Sequence, residues 1–344
     1  MHSQFSVVTI VKNRTHQLTN LIANLEGASQ PPAELIIVWM APPSDKSLIQ
    51  SEAFNIQHRF VTSEELPIPQ ARNKGFASAS YDRVIHLDVD CLCHPQLFEA
   101  MMKYWQDDTI LTDNVIPVRL MENGDTFEHL ASTPDLHVTT SGKSNMHINR
   151  FQSSVFGLSK QAFEDIGGFD EQYHGFGIGD IDFATRCHAA GIKLRRLDIS
   201  TFIQHRANYD FPINHLLDIV TNANLFKRKW GYFPATEWLG EFVARGYVNA
   251  DFETQGLAIR RMPSEDEIYA ALHGAHEAKS DTRSEDSRSR NNTLADNDGV
   301  GSVEYTNSSE HVNSPERVNS TESDVPGAQR NENTTQQDTQ FLTA

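Results

Sequence analysis

Cysteine is nearly absent from this chain, with three residues in 344: Cys91, Cys93 and Cys187. An odd count in so long a chain argues against a disulfide framework. With no signal-peptide pattern in "MHSQFSVVTIVKNR", reduced thiols in a cytoplasmic protein are expected. No uninterrupted apolar stretch approaches the length of a bilayer span, so any association with a membrane, at its inner face, would be peripheral. Basic side chains are the scarcer charge, 29 Lys and Arg against 46 Asp and Glu for a net charge of −17. No long basic run occurs either, which argues against nucleic acid as a partner.

From about Ser280 the apolar periodicity also stops. The tail has Tyr305 and Phe341 as its aromatics, carries 12 acidic and 5 basic side chains, and runs through an imperfect repeat, "TNSSEH", "VNSPER", "VNSTES". Such sequence cannot bury enough surface to offset chain entropy. The organisation expected is one α/β domain over 1–275 and a disordered, low-complexity polar tail over 276–344.

What the rest of the chain does contain is alternation. "FSVVTIV" (5–11) reads as a strand, and "THQLTNLIANLEG" (15–27) places Leu18, Leu21, Ile22 and Leu25 at helical spacing. "AELIIVWMA" (33–41) and "HRFVTS" (58–63) read as strands, "PIPQARNKGFASAS" (67–80) as a loop running into a helix, and "DRVIHLDVD" (82–90) as a strand again. Strands alternating with helices predict a parallel sheet covered on both faces. Ligands of such sheets sit outside the carboxyl ends of the strands.

Asp88 and Asp90 stand at one such end. On a strand, residues i and i+2 share a face, so both carboxylates are expected to emerge together. Their oxygens suit a hard divalent cation, Mg²⁺ or Mn²⁺, which can neutralise a diphosphate; the plainer alternative is a pair that only ends the strand. A zinc reading of the adjacent "CLCH" fails for want of a second Cys pair, and Cys91 and Cys93 are expected to fill small apolar positions.

A second constellation spans 151–197. "SKQAFEDIGG" predicts a short helix capped by Ser159 and stopped by Gly167, and "DIDFATRCHAAG" a second one ended by Gly191. Between them, "YHGFGIG" reads as a pliable loop. Asp180 falls at the second helix's start, where an ionised carboxylate is favoured and could take a proton from an incoming hydroxyl, or simply cap the helix. Asp182, four residues before Arg186, suggests a helix-surface ion pair. Tyr173 and Phe176 could stack on a sugar ring or fill the core. His205 follows the strand-like "IKLRRLDISTFI". A lone His is usually structural, but with Asp88 and Asp90 it would complete a mixed oxygen and nitrogen site that favours Mn²⁺.

Taken in order, these segments resemble the inverting GT-A glycosyltransferases, family 2 and the related β-1,4-galactosyltransferases. The likeness runs over about residues 5–235. "SVVTIVKNR" is similar to the family's first strand, and "ARNKGFASASYDRVIHLDVD" to its helix and strand ending in D-x-D. "FGLSKQAFEDIGGFDEQYHGFGIGDIDF" resembles the C-terminal catalytic segment, and "LFKRKWG" a common family-2 ending. The resemblance implies a Rossmann-like, mostly parallel central sheet flanked by helices. It implies metal ligation by Asp90 and His205, with Asp88 near the nucleotide's ribose and at the metal, and Asp180 as catalytic base. It further implies nucleotide contacts from Arg14 and, in an "ARN" segment, from Arg72 and Asn73, and sugar contacts from Phe176.

Two departures stand out. The family's Glu before the base is Gly179, and the galactosyltransferases' sulfur ligand position is Phe202, so that a water is expected in that coordination place. The function implied is transfer of a hexosyl group from a nucleotide sugar, with UDP the expected carrier, to a hydroxyl of a glycan or lipid-linked acceptor. A non-catalytic nucleotide-sugar or glycan-binding module is the alternative. A sugar-1-phosphate nucleotidyltransferase is disfavoured, because "VKNRTHQ" lacks the glycine-rich loop that such enzymes need.

Overall fold

Short β-branched runs alternate with amphipathic segments along the chain, and the sheet they form is buried on both faces. The computed structural model describes residues 4–43, 48–61, 63, 66–118, 121–132, 143–145, 151–204 and 211–271. His205 and the whole of 276–344 lie outside the described residues. The elements in order are β1 (Ser6–Val11), α1 (Thr15–Glu26), β2 (Glu34–Trp39), β3 (Asn55–Phe60), α2 (Ile68–Ser78), β4 (Arg83–Leu87), β5 (Cys91–Cys93) and α3 (Leu97–Tyr104). Then come β6 (Thr109–Val118), α4 (Phe127–Ala131), β7 (Lys143–Asn145), β8 (Val155–Ser159), α5 (Lys160–Asp165), α6 (Gly179–Ala189) and β9 (Lys193–Gln204). A 3₁₀ turn (Ile213–His215) leads into α7 (Leu216–Trp230), α8 (Glu237–Ala244) and α9 (Phe252–Gln255).

Among the described residues the strands form one sheet in the order β3-β2-β1-β4-β8-β6-β9-β5, with β7 also on β9. The run β3-β2-β1-β4 is parallel, as is β6 with β9, and antiparallel pairing enters with β8. This is the mostly parallel, helix-flanked α/β architecture predicted. The third strand begins three residues earlier than its sequence pattern suggests, at Asn55, where pairing to Glu34 of β2 sets the register.

Alternate residues of β1 feed two cores. Val7 packs with α1 and α3 through Leu18, Leu21, Leu25, Phe98 and Met101. Val8 packs with α2, α5 and α6 through Ala71, Phe76, Phe163, Phe183 and Cys187. The second layer sits close to the sheet because Gly75 of α2 lies against Val8, whose Cγ1 a Cβ at that position would overlap. A third core, separate from the sheet, joins Tyr173 and Ile178 to residues of 211–257, among them Ile219, Phe226 and Phe242. The three cysteines are free and buried, as expected. Ser159 caps α5 by accepting from the Ala162 N–H, and Gly167 and Gly191 end α5 and α6 with φ of +76° and +79°. No helix among the described residues is long and apolar enough to cross a membrane.

Candidate active site

The carboxylates of the D-x-D segment are presented by a turn, which corrects the expectation of a shared strand face. β4 stops at Leu87, and the Cys91 N–H donates to the Asp88 carbonyl at 3.1 Å, so residues 88–91 reverse the chain toward β5. Val89 is buried in the first core and anchors the turn. The two aspartates then meet different partners. Asp90, its side chain fully buried, accepts from Arg14 Nη1 at 2.7 Å. Asp88 lies 4.0 Å from Arg72 Nη2. Two residues upstream, His86 is buried against the Phe156 ring. Burial, and then the Arg72 charge, hold its pKa well below the usual histidine range.

Arg72 is the centre of the arrangement. Its guanidinium lies over the Phe169 ring, 5.0 Å from the centroid, and donates to Asp180 Oδ1 at 2.9 Å while Nη2 faces Asp88. Ser153 Oγ donates to the other oxygen of Asp180 at 2.6 Å. One arginine therefore links the turn at the end of β4 to the first turn of α6. Asn73, expected beside the nucleotide, points elsewhere. Its amide binds the Phe169 carbonyl and Glu171, and its Oδ1 accepts the Phe169 N–H, so it ties α2 to that segment.

The loop before α6 is tethered. Asn222 of α7 donates to the carbonyls of His174 and Gly177, and Asp218 accepts the Phe176 N–H. Gly175, at φ +67°, leaves the room that Asp218 fills. Ile178 also takes a positive φ, 67°, which for a β-branched residue costs about 1–3 kcal/mol and is held by its surroundings. That strained residue sets the entry of α6 and hence the aim of Asp180.

Asp182 corrects a second expectation. It pairs with Arg186 at 2.9 Å, but it is buried, and its oxygens also accept from Lys229, Trp230 and Tyr173. This is an anchor between α6 and α7, not a surface pair. Tyr173 contributes to the cleft wall yet is 2 % exposed, and burial and then Asp182 push its phenol pKa up. Its hydroxyl donates to Asp182 at 3.1 Å. Phe176 stacks on His215 at 4.4 Å and tilts against Trp238 at 5.6 Å, forming an aromatic edge at the cleft. Asp182→Ala would leave Arg186 and Lys229 facing an emptied site. A loss of about 3 kcal/mol is expected, the lower end for breaking a buried pair because Lys229 is partly exposed, and urea unfolding would measure it.

These parts border one cleft of about 790 Å³ at the carboxyl ends of β1, β2 and β4. Lys12, Arg14, Arg72, Asp88, Ser153, Phe176, Asp180, Thr236 and Trp238 line it. Three basic side chains, Lys12, Arg14 and Arg72, collect there beside the carboxylates of Asp88 and Asp180. Asp88 and Asp90 supply hard oxygen donors, and Mg²⁺-like cations bind through one or two carboxylates while keeping several waters. Among the described residues no group of three or more His, Cys, Asp or Glu side chains converges. Phe202 does not face the cleft: it is buried and stacks on Phe127 at 4.8 Å. Gly179 has room for a side chain, since its Cβ would meet Tyr173 Cβ at an ordinary 3.5 Å.

Ser153, Asp218, Asn222 and Trp238 were not legible as site residues. Ser153 sits outside any motif, and the others come from helices whose relation to the loop is set only by tertiary packing.

A mixed, mostly parallel sheet whose carboxyl edge bears an acidic turn, facing an aspartate in the first turn of a helix, is the arrangement that the resemblance to GT-A glycosyltransferases implies. Residues 6–167 match the family model described as "Glycosyl transferase family 2", and residues 135–208 match the one described as "N-terminal domain of galactosyltransferase". Two glycosyltransferase family models thus match overlapping stretches within residues 6–208. It is similar to the "Pre-mycofactocin glycosyltransferase" of two Mycobacterium tuberculosis strains, at 25% identity over 202 residues covering 56% of this chain. The chain spans 41% of the length of those relatives. Among solved structures it is similar to S. aureus TarS 1-349 in complex with UDP-GlcNAc, at 13% identity and a TM-score of 0.49, covering 73% of this chain and 75% of that one. It is also similar to GalNAc-T7 with UDP, GalNAc and Mn²⁺, at 13% identity and a TM-score of 0.46, covering 59% and 43%.

Proposed function

We propose that this protein is a metal-dependent inverting hexosyltransferase. It moves a hexosyl group from a nucleotide sugar, with UDP the expected carrier, to a hydroxyl of a glycan or lipid-linked acceptor, in the cytoplasm and peripherally at the inner face of the membrane. The observation that carries this reading is Arg72, which reaches Asp180 on one side and Asp88 on the other within one cleft. On this reading the donor's diphosphate and the attacking hydroxyl would bind in adjacent places.

Lys12, Arg14 and Arg72 offer positive charge to the diphosphate. Asp88, Asp90 and, by the resemblance, His205 would hold Mn²⁺ or Mg²⁺, which when bound supplies neutralisation of charge on the leaving diphosphate. Asp180 accepts the acceptor's hydroxyl proton as the oxygen forms its bond to the anomeric carbon and the bond from that carbon to the diphosphate breaks. Ser153 and Arg72 fix the carboxylate's orientation for that transfer. Phe176 and Trp238 present flat apolar faces suited to the acceptor sugar. The base reading gains from the fold, since the N-cap position of α6 is Ile178 and not Asp180.

The test is incubation with Mn²⁺, a panel of nucleotide sugars and a panel of glycans, measuring released nucleotide and the anomeric configuration of the product by NMR. Release that needs Mn²⁺ and a product inverted relative to the donor are expected. Undiminished release in EDTA would remove the metal requirement, and a retained configuration would remove the single displacement.

A further inference from the structure

Gln204 closes β9 at the cleft, and its side-chain amide is held at one end only. The residue is 8% exposed and lines the cleft. Its backbone N–H donates to the Asp90 carbonyl at 3.2 Å, which places it beside the acidic turn. Its Oε1 accepts the Met121 N–H at 3.3 Å and the Gln17 Nε2 at 3.2 Å. A backbone N–H can only donate, so Met121 settles which end of the amide is oxygen. With two donors on Oε1 the amide is fixed in orientation, and its NH₂ group is what remains for the cleft. No described residue accepts from that group.

The neighbours of this group select its ligand. Val115 and Pro117 of β6 line the cleft two residues apart, and Pro117 pairs with Ile203, which lines it too. Gln204 pairs with Val118 in the same register. A fixed, uncharged donor therefore borders an apolar strip. Diphosphate oxygens carry full negative charge and are met better by Lys12, Arg14 and Arg72, since hydrogen bonds between ionised groups are roughly twice as strong as neutral ones. A sugar offers the matching pattern of hydroxyls beside C–H bonds. A few placed polar groups set in apolar walls are how small ligands of that kind are oriented.

We infer that Gln204 reads the hexose: its Nε2 donates to one hydroxyl of the sugar to be transferred, while Val115, Pro117 and Ile203 meet the adjoining C–H bonds. An epimer that turns this hydroxyl away leaves the buried amide without an acceptor, so the residue discriminates among hexoses that share a nucleotide. Gln204 lies outside both the acidic turn and the segment that carries Asp180. It therefore sets the choice of sugar apart from the groups given to departure of the diphosphate and to attack. This deepens the proposed reaction and rests on the cleft's binding a nucleotide sugar.

Equilibrium binding of UDP-glucose, UDP-galactose and UDP-N-acetylglucosamine, and of analogues in which each sugar hydroxyl in turn is replaced by hydrogen, tests it. Titrations in Mn²⁺ compare the wild-type full chain with Gln204→Met and Gln204→Ala, and circular dichroism melts check each fold. Two variants are used so that a folding defect in one still leaves a reading. Each analogue is compared with its parent within one protein, so any loosening of Met121 or Gln17 acts on both and cancels. For the hexose bound most tightly, one deoxy analogue should bind wild type about tenfold more weakly than its parent, the size of a single hydrogen bond. In both variants that penalty should vanish while those for the other hydroxyls persist. Every analogue binding wild type as its parent does, or the full penalty persisting in a folded variant, would overturn this inference alone. Wild type that binds none of the three UDP-sugars would overturn it together with the proposed function.

Discussion

Asp180→Asn is expected to lower turnover by roughly 10²-fold or more while donor affinity changes little. The substitution keeps the side chain's size. The amide oxygen can still accept from Arg72, and the Ser153 hydroxyl can turn to accept from the new NH₂ group, so the two short contacts survive and only the 3.4 Å bond from the Ser153 backbone N–H is lost. What disappears is the capacity to take a proton. Helix capping offers no competing explanation, because the N-cap position is occupied by Ile178 and Asp180 lies in the first turn. The favourable placement of a negative charge there is worth about 0.3–1 kcal/mol, too little to unfold the domain. Steady-state turnover and equilibrium donor binding on the one variant decide the matter. A fully active Asp180→Asn enzyme would remove the base assignment, and Asp182 could not inherit it, being buried under Arg186, Lys229, Trp230 and Tyr173.

Asp90→Ala is expected to abolish transfer and metal-dependent nucleotide binding together, since it deletes the most deeply placed oxygen donor of the acidic turn. Stability should change far less than activity. Arg14, left without this carboxylate, is partly exposed and can reach water, and Val89 still anchors the turn in the core. UDP binding measured with and without Mn²⁺, beside a thermal melt, separates the two effects. A variant that retains Mn²⁺-dependent UDP binding would show that the cation is held by other groups.

The parts of the fold legible in the sequence were those fixed by local pattern. The all-buried β1 and β2, the helical spacing of Leu18, Leu21 and Leu25, the Ser159 cap and the Gly191 stop each depend on neighbours within a few residues. What was not legible depends on distant contacts. The sequence of 82–90 reads as one strand because nothing in it shows that β5 pairs with β9 and pulls residues 88–91 into a turn. Spacing pairs Asp182 with Arg186 correctly but cannot reveal that Lys229 and Trp230 close over it from a helix 47 residues on. For Asn73 the "ARN" pattern pointed to the nucleotide, whereas packing of α2 against Phe169 turned its amide away. Arg72, one residue earlier and on a different face of the same helix, is the residue that reaches the cleft.

The third core divides the upkeep of the cleft between two bodies of hydrophobic residues. The acidic turn and Arg14 are supported by the sheet and its helices, whereas Thr236 and Trp238 belong to a segment that lies beyond both matched ranges, 6–167 and 135–208, and packs on its own interior of Ile219, Phe226 and Phe242. Variation that reshapes this interior moves the Trp238 wall and, through Ile178, Asp218 and Asn222, the loop that aims Asp180, while the acidic turn keeps its own foundations. A lineage could therefore drift in what its cleft admits without disturbing the acidic turn, provided the residues of 211–257 that tether α6 are kept.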